Sequence, residues 1–173
     1  MKTLILGGIR SGKSLMAEQM AIDSQRQVVY IATAKAVDEE MERRIKLHRD
    51  RRPGGWVNLE EPIQLAQTLQ SRAERQNCLL VDCLSLWITN LLVSEDSELL
   101  NAEVNALMRF LPGCPGDIIF VSSESNMGVV PADELSRQYC DVIGLLHQDI
   151  AALSDRVILS IAGLPQLLKG EID

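Results

Sequence analysis

The feature of this sequence that most limits its fold is an eight-residue pattern near the start, G-x-x-x-x-G-K-[ST]. The pattern follows the apolar run Thr3–Leu6 and opens a segment with helical spacing. Its glycines let the backbone curl so that successive N–H groups converge on phosphate oxygens, and the helix that follows adds its positive N-terminal end. The pattern therefore predicts a strand, a phosphate-binding loop (P-loop) and a helix. The residues of this predicted nucleotide site are Gly7, Gly8, Ile9, Arg10, Ser11, Gly12, Lys13 and Ser14.

Two kinds of side chain are expected to complete the phosphate site. Lys13 would reach the β and γ phosphates of a nucleotide, and the Ser14 hydroxyl would hold Mg²⁺. Such a site also needs a carboxylate at the end of a neighbouring strand, to hold Mg²⁺ directly or through water. Asp82 closes an apolar run and is the first candidate, although it could instead cap a helix that begins near Ser85. Glu124, just past a later predicted strand, is the second candidate.

Strand-like and helix-like patterns alternate along the chain. Short apolar runs bounded by turn residues predict buried strands, and longer runs with three- and four-residue spacing predict helices. The predicted strands are Thr3–Leu6, Val28–Ala32, Cys78–Asp82, Asp117–Ser122 and Val157–Ile161. The predicted helices are Lys13–Ile22, Glu39–Asp50, Ile63–Arg75 and Ala132–Leu153. No strand alternates cleanly between apolar and polar residues, which is typical of a parallel sheet covered on both faces. We therefore expect one α/β domain over residues 1–173, with a mostly parallel sheet flanked by helices.

Composition narrows the class of protein and its partners. Seventeen basic and 24 acidic residues give a net charge of −7, and aromatic residues make up 3%. A nucleic-acid-binding protein normally has a basic excess and aromatic stacking surfaces, so no nucleic-acid partner is expected. No apolar stretch approaches the roughly 18 residues of a membrane span. Gly7 and Arg10 interrupt the apolar start too early for a signal peptide, so we expect a cytoplasmic protein.

The cysteines and histidines do not form a recognisable metal or disulfide pattern. None of the four cysteines lies in a C-x-x-C pair, and the two histidines are far apart in the sequence. A zinc site or a disulfide framework is therefore not expected, and the cysteines are interpreted as reduced, partly buried small residues. His147 lies beside Leu146 in the last predicted helix and is interpreted as structural.

His48 lies in a cluster of positive charge. Six of the seventeen basic residues fall between positions 43 and 52, namely Arg43, Arg44, Lys46, Arg49, Arg51 and Arg52. Acidic residues come just before them, so one interpretation is a solvated helix arranged to suit its dipole. The other is catalytic, because arginines would stabilise a triphosphate and like charge disfavours the protonated form of a nearby imidazole. Spacing alone leaves both interpretations open.

Taken together, these motifs resemble one family, the bifunctional adenosylcobinamide kinase / adenosylcobinamide-phosphate guanylyltransferase of cobalamin synthesis. The likeness covers nearly the whole chain, and its most specific part is Arg-Ile-x-x-His-x-x-x-Arg-Pro from position 44 to position 53. The other matching segments are the P-loop, Tyr-Ile-Ala-Thr-Ala at 30–34, Leu-Val-Asp-Cys-Leu at 80–84, Thr-Asn-Leu-Leu at 89–92 and Met-Gly-Val-Val-Pro at 127–131.

The resemblance implies a RecA-like P-loop NTPase fold, a homotrimer and two reactions. One phosphorylates a hydroxyl of adenosylcobinamide with ATP or GTP. In the other, His48 attacks the α-phosphate of GTP, and GMP passes to adenosylcobinamide phosphate to give adenosylcobinamide-GDP. The implied nucleotide contacts, besides the P-loop, are Thr33, Ala34, Lys35, Arg49, Asp50, Arg51, Arg52, Glu60 and Asp82.

The chain departs from the family pattern in its C-terminal half. Ser-Glu-Ser-Asn at 123–126 replaces Asn-Glu-x-Gly, Cys140 replaces an arginine, and His147-Gln148 replaces Asn-Gln. Two other functions remain as alternatives at this point. One is a simple P-loop kinase of a small alcohol in which His48 only binds phosphate, and the other is a RecA-like ATPase module that drives a conformational change in a partner.

Overall fold

A computed structural model describes residues 1–36 and 38–171, apart from the Arg44 side chain, and shows strands and helices in alternation. The strands are β1 (Lys2–Gly7), β2 (Gln27–Ala32), β3 (Val57–Glu60), β4 (Asn77–Asp82), β5 (Asp117–Ser123), β6 (Arg156–Ile161) and β7 (Leu164–Lys169). The helices are α1 (Lys13–Asp23), α2 (Glu39–Asp50), α3 (Leu65–Arg72), α4 (Leu84–Val93), α5 (Ser97–Phe110) and α6 (Glu134–Leu153), and a short 3₁₀ turn covers Leu111–Gly113.

All of these strands form one sheet in the order β3-β2-β4-β5-β1-β6-β7. Neighbouring strands are parallel except for β6 and β7, which form an antiparallel hairpin at the edge. Parallel pairing brings the carboxyl ends of the strands to the same edge, so Gly7 lies beside Ser123 and Asp82 lies beside Ala32. Ligands of open α/β sheets bind at this edge. The sheet therefore collects the predicted phosphate-site residues at one edge.

Helices cover both faces of the sheet. On one face, α3, α4, α5 and α6 pack on strand residues such as Leu79 and Phe120, with Trp87 of α4 fully buried. On the other face, α1 packs through Ala17 on residues such as Leu80. These two cores explain why the strands do not alternate, because side chains of both faces are removed from water. In the described part of the chain, no helix is long and apolar enough to span a membrane.

The predicted mostly parallel α/β fold is confirmed, and the structure adds elements that the sequence patterns did not reveal. The strand β3 has only four residues, two of them the polar Asn58 and Glu60, so its pattern is weak. The strand β7 lies at the sheet edge and is largely exposed, and it contains Pro165. The helix α5 was not predicted, and the helix after Asp82 entered only as an alternative role for that residue.

His147 is a polar residue inside the helical layer. It lies on α6 and is buried, with its Nε2 atom 2.7 Å from the Ser122 hydroxyl oxygen. That hydroxyl lies 3.0 Å from the Ser85 hydroxyl, so one hydrogen-bonded chain joins α6, β5 and α4. Burial lowers the pKa of His147, and the Glu124 carboxylate, 3.8 Å from Nδ1, partly opposes that shift. This environment agrees with the structural role expected from the sequence.

We predict that Leu80→Ala lowers the free energy of unfolding by about 2–5 kcal/mol, because it leaves a cavity in a fully buried part of β4. Urea unfolding followed by circular dichroism measures this change. Val129→Ala is the matched control, since Val129 is 95% exposed and its truncation should change stability by less than about 0.5 kcal/mol. Equal changes in the free energy of unfolding of the two variants would contradict the placement of Leu80 in the hydrophobic core.

We also predict that His147 makes the protein less stable in mild acid. Because the folded-state pKa lies below the ordinary value of 6.5, the unfolded chain takes up a proton that the folded chain resists as the pH falls. The free energy of unfolding of the wild type should therefore fall more between pH about 7.5 and about 5.5 than that of His147→Asn. Urea titrations of both proteins at the two pH values test this, and parallel losses would exclude His147 as the cause.

Candidate functional site

The P-loop connects β1 to α1 through a tight turn in which Arg10 and Gly12 have positive φ angles of 57° and 93°. Gly12 is the N-cap of α1 and provides no side chain to bond the first amide groups of the helix. These N–H groups are donors that an anionic ligand can use. Lys13 Nζ donates a hydrogen bond to the Gly8 carbonyl oxygen at 3.1 Å, so the ammonium lies within the arc of the loop. The loop thus presents a cation and backbone donors together.

The hairpin of β6 and β7 supports the P-loop through hydrogen bonds to its backbone. The Ser11 carbonyl oxygen accepts hydrogen bonds from Gly163 N and from the Ser160 hydroxyl, both at 2.8 Å. A Cβ atom at Gly12 would lie 3.0 Å from Gly163 Cα, so the two backbones approach closely. Sequence reasoning missed this support. The Ala-Gly pair at 162–163, between two apolar runs, is the signal that could have predicted the turn.

A cavity of about 550 Å³ extends from the P-loop to α2 and the end of β4. It brings together many of the predicted site residues, and His48 of α2 lies on the same cavity as Lys13 of the P-loop. The predicted residues that line it are Ile9, Arg10, Ser11, Gly12, Lys13, Ser14, Ala34, His48, Arg51, Arg52 and Asp82. Cys83 also lines this cavity, but burial raises the pKa of its thiol to about 12, so it is not a thiolate nucleophile at neutral pH.

Other predicted site residues lie elsewhere. Thr33 is buried, and its hydroxyl donates to the Cys83 carbonyl oxygen at 2.6 Å and accepts from Cys83 N at 2.9 Å. This bonding gives Thr33 a structural role in joining the ends of β2 and β4. Exposed side chains are those of Lys35, Arg49, Asp50 and Glu60, while Gly7 is buried at the end of β1 and Gly8 borders a second cavity. For these residues, nucleotide contact stays a prediction.

Asp82 lies at the carboxyl end of β4 and faces the cavity that Ser14 also lines. Tyr30 donates its hydroxyl hydrogen bond to Asp82 Oδ2 at 2.7 Å, and burial together with the charge of Asp82 raises the pKa of Tyr30 far above its ordinary range. The phenol therefore stays protonated and orients the carboxylate. A hydroxyl and a carboxylate are hard oxygen ligands, the type that Mg²⁺ prefers. Ser14 and Asp82 thus fit a magnesium ion, which they would hold together with oxygens of phosphate or water.

This donor set is small. Within residues 1–36 and 38–171, no three or more His, Cys, Asp and Glu side chains form a cluster that could hold a metal ion. Magnesium commonly uses one or two carboxylates together with substrate phosphates, so a larger protein cage is not required. The arrangement suits an ion that arrives with a nucleotide.

Arg52 is held against the aromatic residues of the cavity wall. Its guanidinium carbon lies 3.6 Å from the centre of the Tyr30 ring, and Nη1 donates to Asn58 Oδ1 at 2.9 Å. The Trp56 ring stacks on Tyr30 with a centroid distance of 6.2 Å. A cation over an aromatic face is attracted by the negative charge of that face. These contacts fix one arginine of the basic cluster at the cavity.

Arg51 links His48 to the helix that follows the P-loop. Its Nη2 atom lies 3.0 Å from Glu18 Oε1 and 3.4 Å from His48 Nδ1. Glu18 is buried on α1, one turn beyond Ser14. Sequence reasoning missed Glu18 because an acidic residue in an amphipathic helix normally faces solvent.

Glu124, the second metal candidate, lies at a different place from Asp82. Its backbone N donates to the Gly7 carbonyl oxygen at 3.0 Å, and its Oε1 accepts from Asn126 N at 2.9 Å. The residue borders the second cavity, of about 410 Å³, beside Gly8 and Met127. It therefore does not share a cavity wall with Ser14, whereas Asp82 does.

Comparison with known proteins gives consistent results for sequence and fold. The profile of the family "Cobinamide kinase / cobinamide phosphate guanyltransferase" matches residues 3–168. The bifunctional adenosylcobalamin biosynthesis protein CobP of Pseudomonas aeruginosa is 57% identical over 171 residues, which cover 99% of each chain. The protein CobU of Escherichia coli, described by the same bifunctional name, is 33% identical over 98% of this chain and 100% of its own length.

Solved structures with little sequence identity share the fold. A Pyrococcus horikoshii OT3 protein superposes with a TM-score of 0.56 at 9% identity, covering 99% of this chain and 87% of its own. The RadB recombinase superposes with a TM-score of 0.51 at 13% identity, covering 91% and 73%. The predicted RecA-like P-loop fold is thus confirmed. Because the family profile spans almost all of the chain and full-length relatives exceed 30% identity, this chain belongs to the cobinamide kinase / cobinamide phosphate guanylyltransferase family.

Proposed function

We propose that this protein is a bifunctional enzyme of cobalamin biosynthesis. It phosphorylates adenosylcobinamide with ATP or GTP, and it transfers GMP from GTP to adenosylcobinamide phosphate through a guanylylated His48. Membership of the family supports the pair of reactions. The single observation that supports this use of His48 is its place on the same cavity as Lys13 of the P-loop.

For the kinase reaction, the chain supplies charge and position. The P-loop amides and Lys13 bind the β and γ phosphates and stabilise the negative charge that develops during transfer. The substrate hydroxyl attacks the γ phosphorus and loses its proton to solvent, while the bond between that phosphorus and the β–γ bridging oxygen breaks and releases the nucleoside diphosphate. Ser14 and Asp82 would hold Mg²⁺, which would neutralise charge on the phosphate oxygens, and Tyr30 keeps the Asp82 carboxylate oriented.

For guanylyl transfer, a nitrogen of His48 attacks the α phosphorus of GTP. The N–P bond forms, the bond to pyrophosphate breaks, and the imidazole proton leaves to solvent. A phosphate oxygen of adenosylcobinamide phosphate then attacks the same phosphorus, releases His48 and forms adenosylcobinamide-GDP. Splitting the transfer into two displacements is the general advantage of nucleophilic catalysis. Arg51 and Arg52 border the cavity and stabilise the phosphates during both displacements.

The family relationship does not favour the two simpler functions, a small-alcohol kinase without covalent transfer and an ATPase module that moves a partner. The remaining proposals follow the family resemblance. Residues 1–173 form a single nucleotide-binding domain, the enzyme is cytoplasmic and assembles as a homotrimer, and Thr33, Lys35, Arg49, Asp50 and Glu60 contribute to nucleotide binding.

The first test follows the covalent intermediate. Incubation with α-³²P-labelled GTP and Mg²⁺ should leave an acid-labile label on the wild-type protein, because phosphoramidates hydrolyse in acid. His48→Ala should carry no label. His147→Asn is the matched control, because this second histidine lies in the helical layer and should leave labelling intact. An unlabelled wild type, or a label that persists in His48→Ala, would exclude the proposed intermediate.

The second test asks whether one P-loop serves both reactions. Lys13→Ala should lower both kinase activity and His48 labelling by at least about 100-fold, since it removes a cation from the phosphate cradle. Lys46→Ala removes the same charge from an exposed position on α2 and should retain both activities. If Lys13→Ala abolished phosphorylation and left labelling at the wild-type rate, the two reactions would use different phosphate sites.

A further inference from the structure

The helix that carries His48 is not held in place by apolar burial. None of the described side chains of α2 is buried, and its apolar residues Met41, Ile45 and Leu47 belong to neither hydrophobic core. Asp38 caps its first turn by accepting from Met41 N at 2.7 Å, but that bond lies within the helix itself. Packing normally provides most of the stability and orientation of a helix in a protein. The position of α2 must therefore depend on other contacts.

Two arginines that directly follow α2 contact other elements of the protein. Arg52 lies over the Tyr30 ring and donates to Asn58. Arg51 pairs with Glu18 of α1 at 3.0 Å. Both follow His48 within about one helical turn, so they determine where the imidazole lies relative to the P-loop.

Glu18 differs from the other acidic residues of the protein. Among the described residues, it is the one buried Asp or Glu, with 8% of its side chain exposed, although its partner Arg51 remains 47% exposed. A buried carboxylate costs free energy unless it is paired, so the Glu18 carboxylate strongly favours the arrangement in which the Arg51 guanidinium is bound to it. Glu18 also lies one turn beyond Ser14 on α1. The pair therefore joins the helix of the phosphate site to the helix of the nucleophile.

We propose that Glu18 is a positioning residue for guanylylation: it holds Arg51, and through Arg51 the end of α2, so that His48 stays at the P-loop cavity. This inference rests on the proposed function and deepens it. Glu18 is not among the residues that line the P-loop cavity, and it bonds to Arg51, so it would act through Arg51. Because the kinase reaction uses the P-loop and Asp82, which lie outside α2, loss of Glu18 should affect the two reactions unequally.

The experiment compares single-turnover labelling by α-³²P-GTP with the phosphorylation of adenosylcobinamide. Glu18→Gln keeps the shape of the side chain and removes its charge. We expect it to slow labelling of His48 by about tenfold or more and to leave the kinase rate within about threefold of the wild type. Glu39→Gln is the matched control, because it removes a carboxylate from an exposed ion pair with Arg43 on α2 itself.

A double-mutant cycle tests whether Glu18 acts through Arg51. Arg51→Gln should also slow labelling, and Glu18→Gln should add little to the effect in the Arg51→Gln background, because the contact it supports is already lost. Independent, multiplying effects of the two substitutions would overturn the proposed route. A merely structural role for Glu18 would lower both reactions together and would not give this pattern.

Thermal unfolding of each variant shows that the comparison is made on folded protein. Glu18→Met is a second variant, because an apolar side chain of similar length avoids burying an unpaired charge. The proposal is supported if a folded variant labels slowly and retains its kinase rate. It is overturned if the variant labels at the wild-type rate, and the proposed function then still stands. A wild type that takes up no label would instead refute the proposed function.

Discussion

Phosphate binding requires that the turn from β1 into α1 be constrained, so that the N–H groups at the start of α1 remain available as donors. The rest of the structure supplies that constraint. Parallel pairing of β1 with β5 and β6 fixes the strand that enters the turn. The hairpin of β6 and β7 binds the Ser11 carbonyl through Gly163 and Ser160, and so supports the loop on the side of the hairpin. The N–H groups at the start of α1 remain donors for a dense anion.

The two proposed reactions differ in the phosphorus atom that is attacked, which is the γ phosphorus in one and the α phosphorus in the other. The wall of the cavity has two different parts. One part is formed by the P-loop, Ser14 and Asp82, which lie at the ends of elements packed in the hydrophobic cores. The other part is α2, which is followed by two arginines that contact Glu18 and Tyr30. Guanidinium groups bind both carboxylates and phosphates, so these two arginines have the chemistry to bind protein side chains or a nucleotide.

Much of this arrangement could be predicted from the sequence, and the failures have physical causes. The P-loop and Asp82 were found because they follow buried strands, where the pattern of apolar residues is strong. The strand β7 was missed because an exposed edge strand carries no such pattern. Glu18 was missed because burial of a carboxylate depends on a partner more than thirty positions away, which no local pattern reveals. The basic cluster made His48 a catalytic candidate but suited a solvated helix as well, and the family resemblance favoured the catalytic interpretation.

The position of β1 in the sheet has a consequence for how the chain acquires its function. Its two neighbours, β5 and β6, come from the last third of the sequence, and β4 lies on the far side of β5. Contacts of such long sequence separation form late and slowly, because their loop-closure entropy must be overcome first. When residues 1–14 have been synthesised, the entire glycine-rich motif is therefore present, but the strands that hold it in its folded conformation are not. Nucleotide affinity should emerge abruptly only after β5, β6 and β7 have been synthesised, when the hairpin closes over the earlier loop.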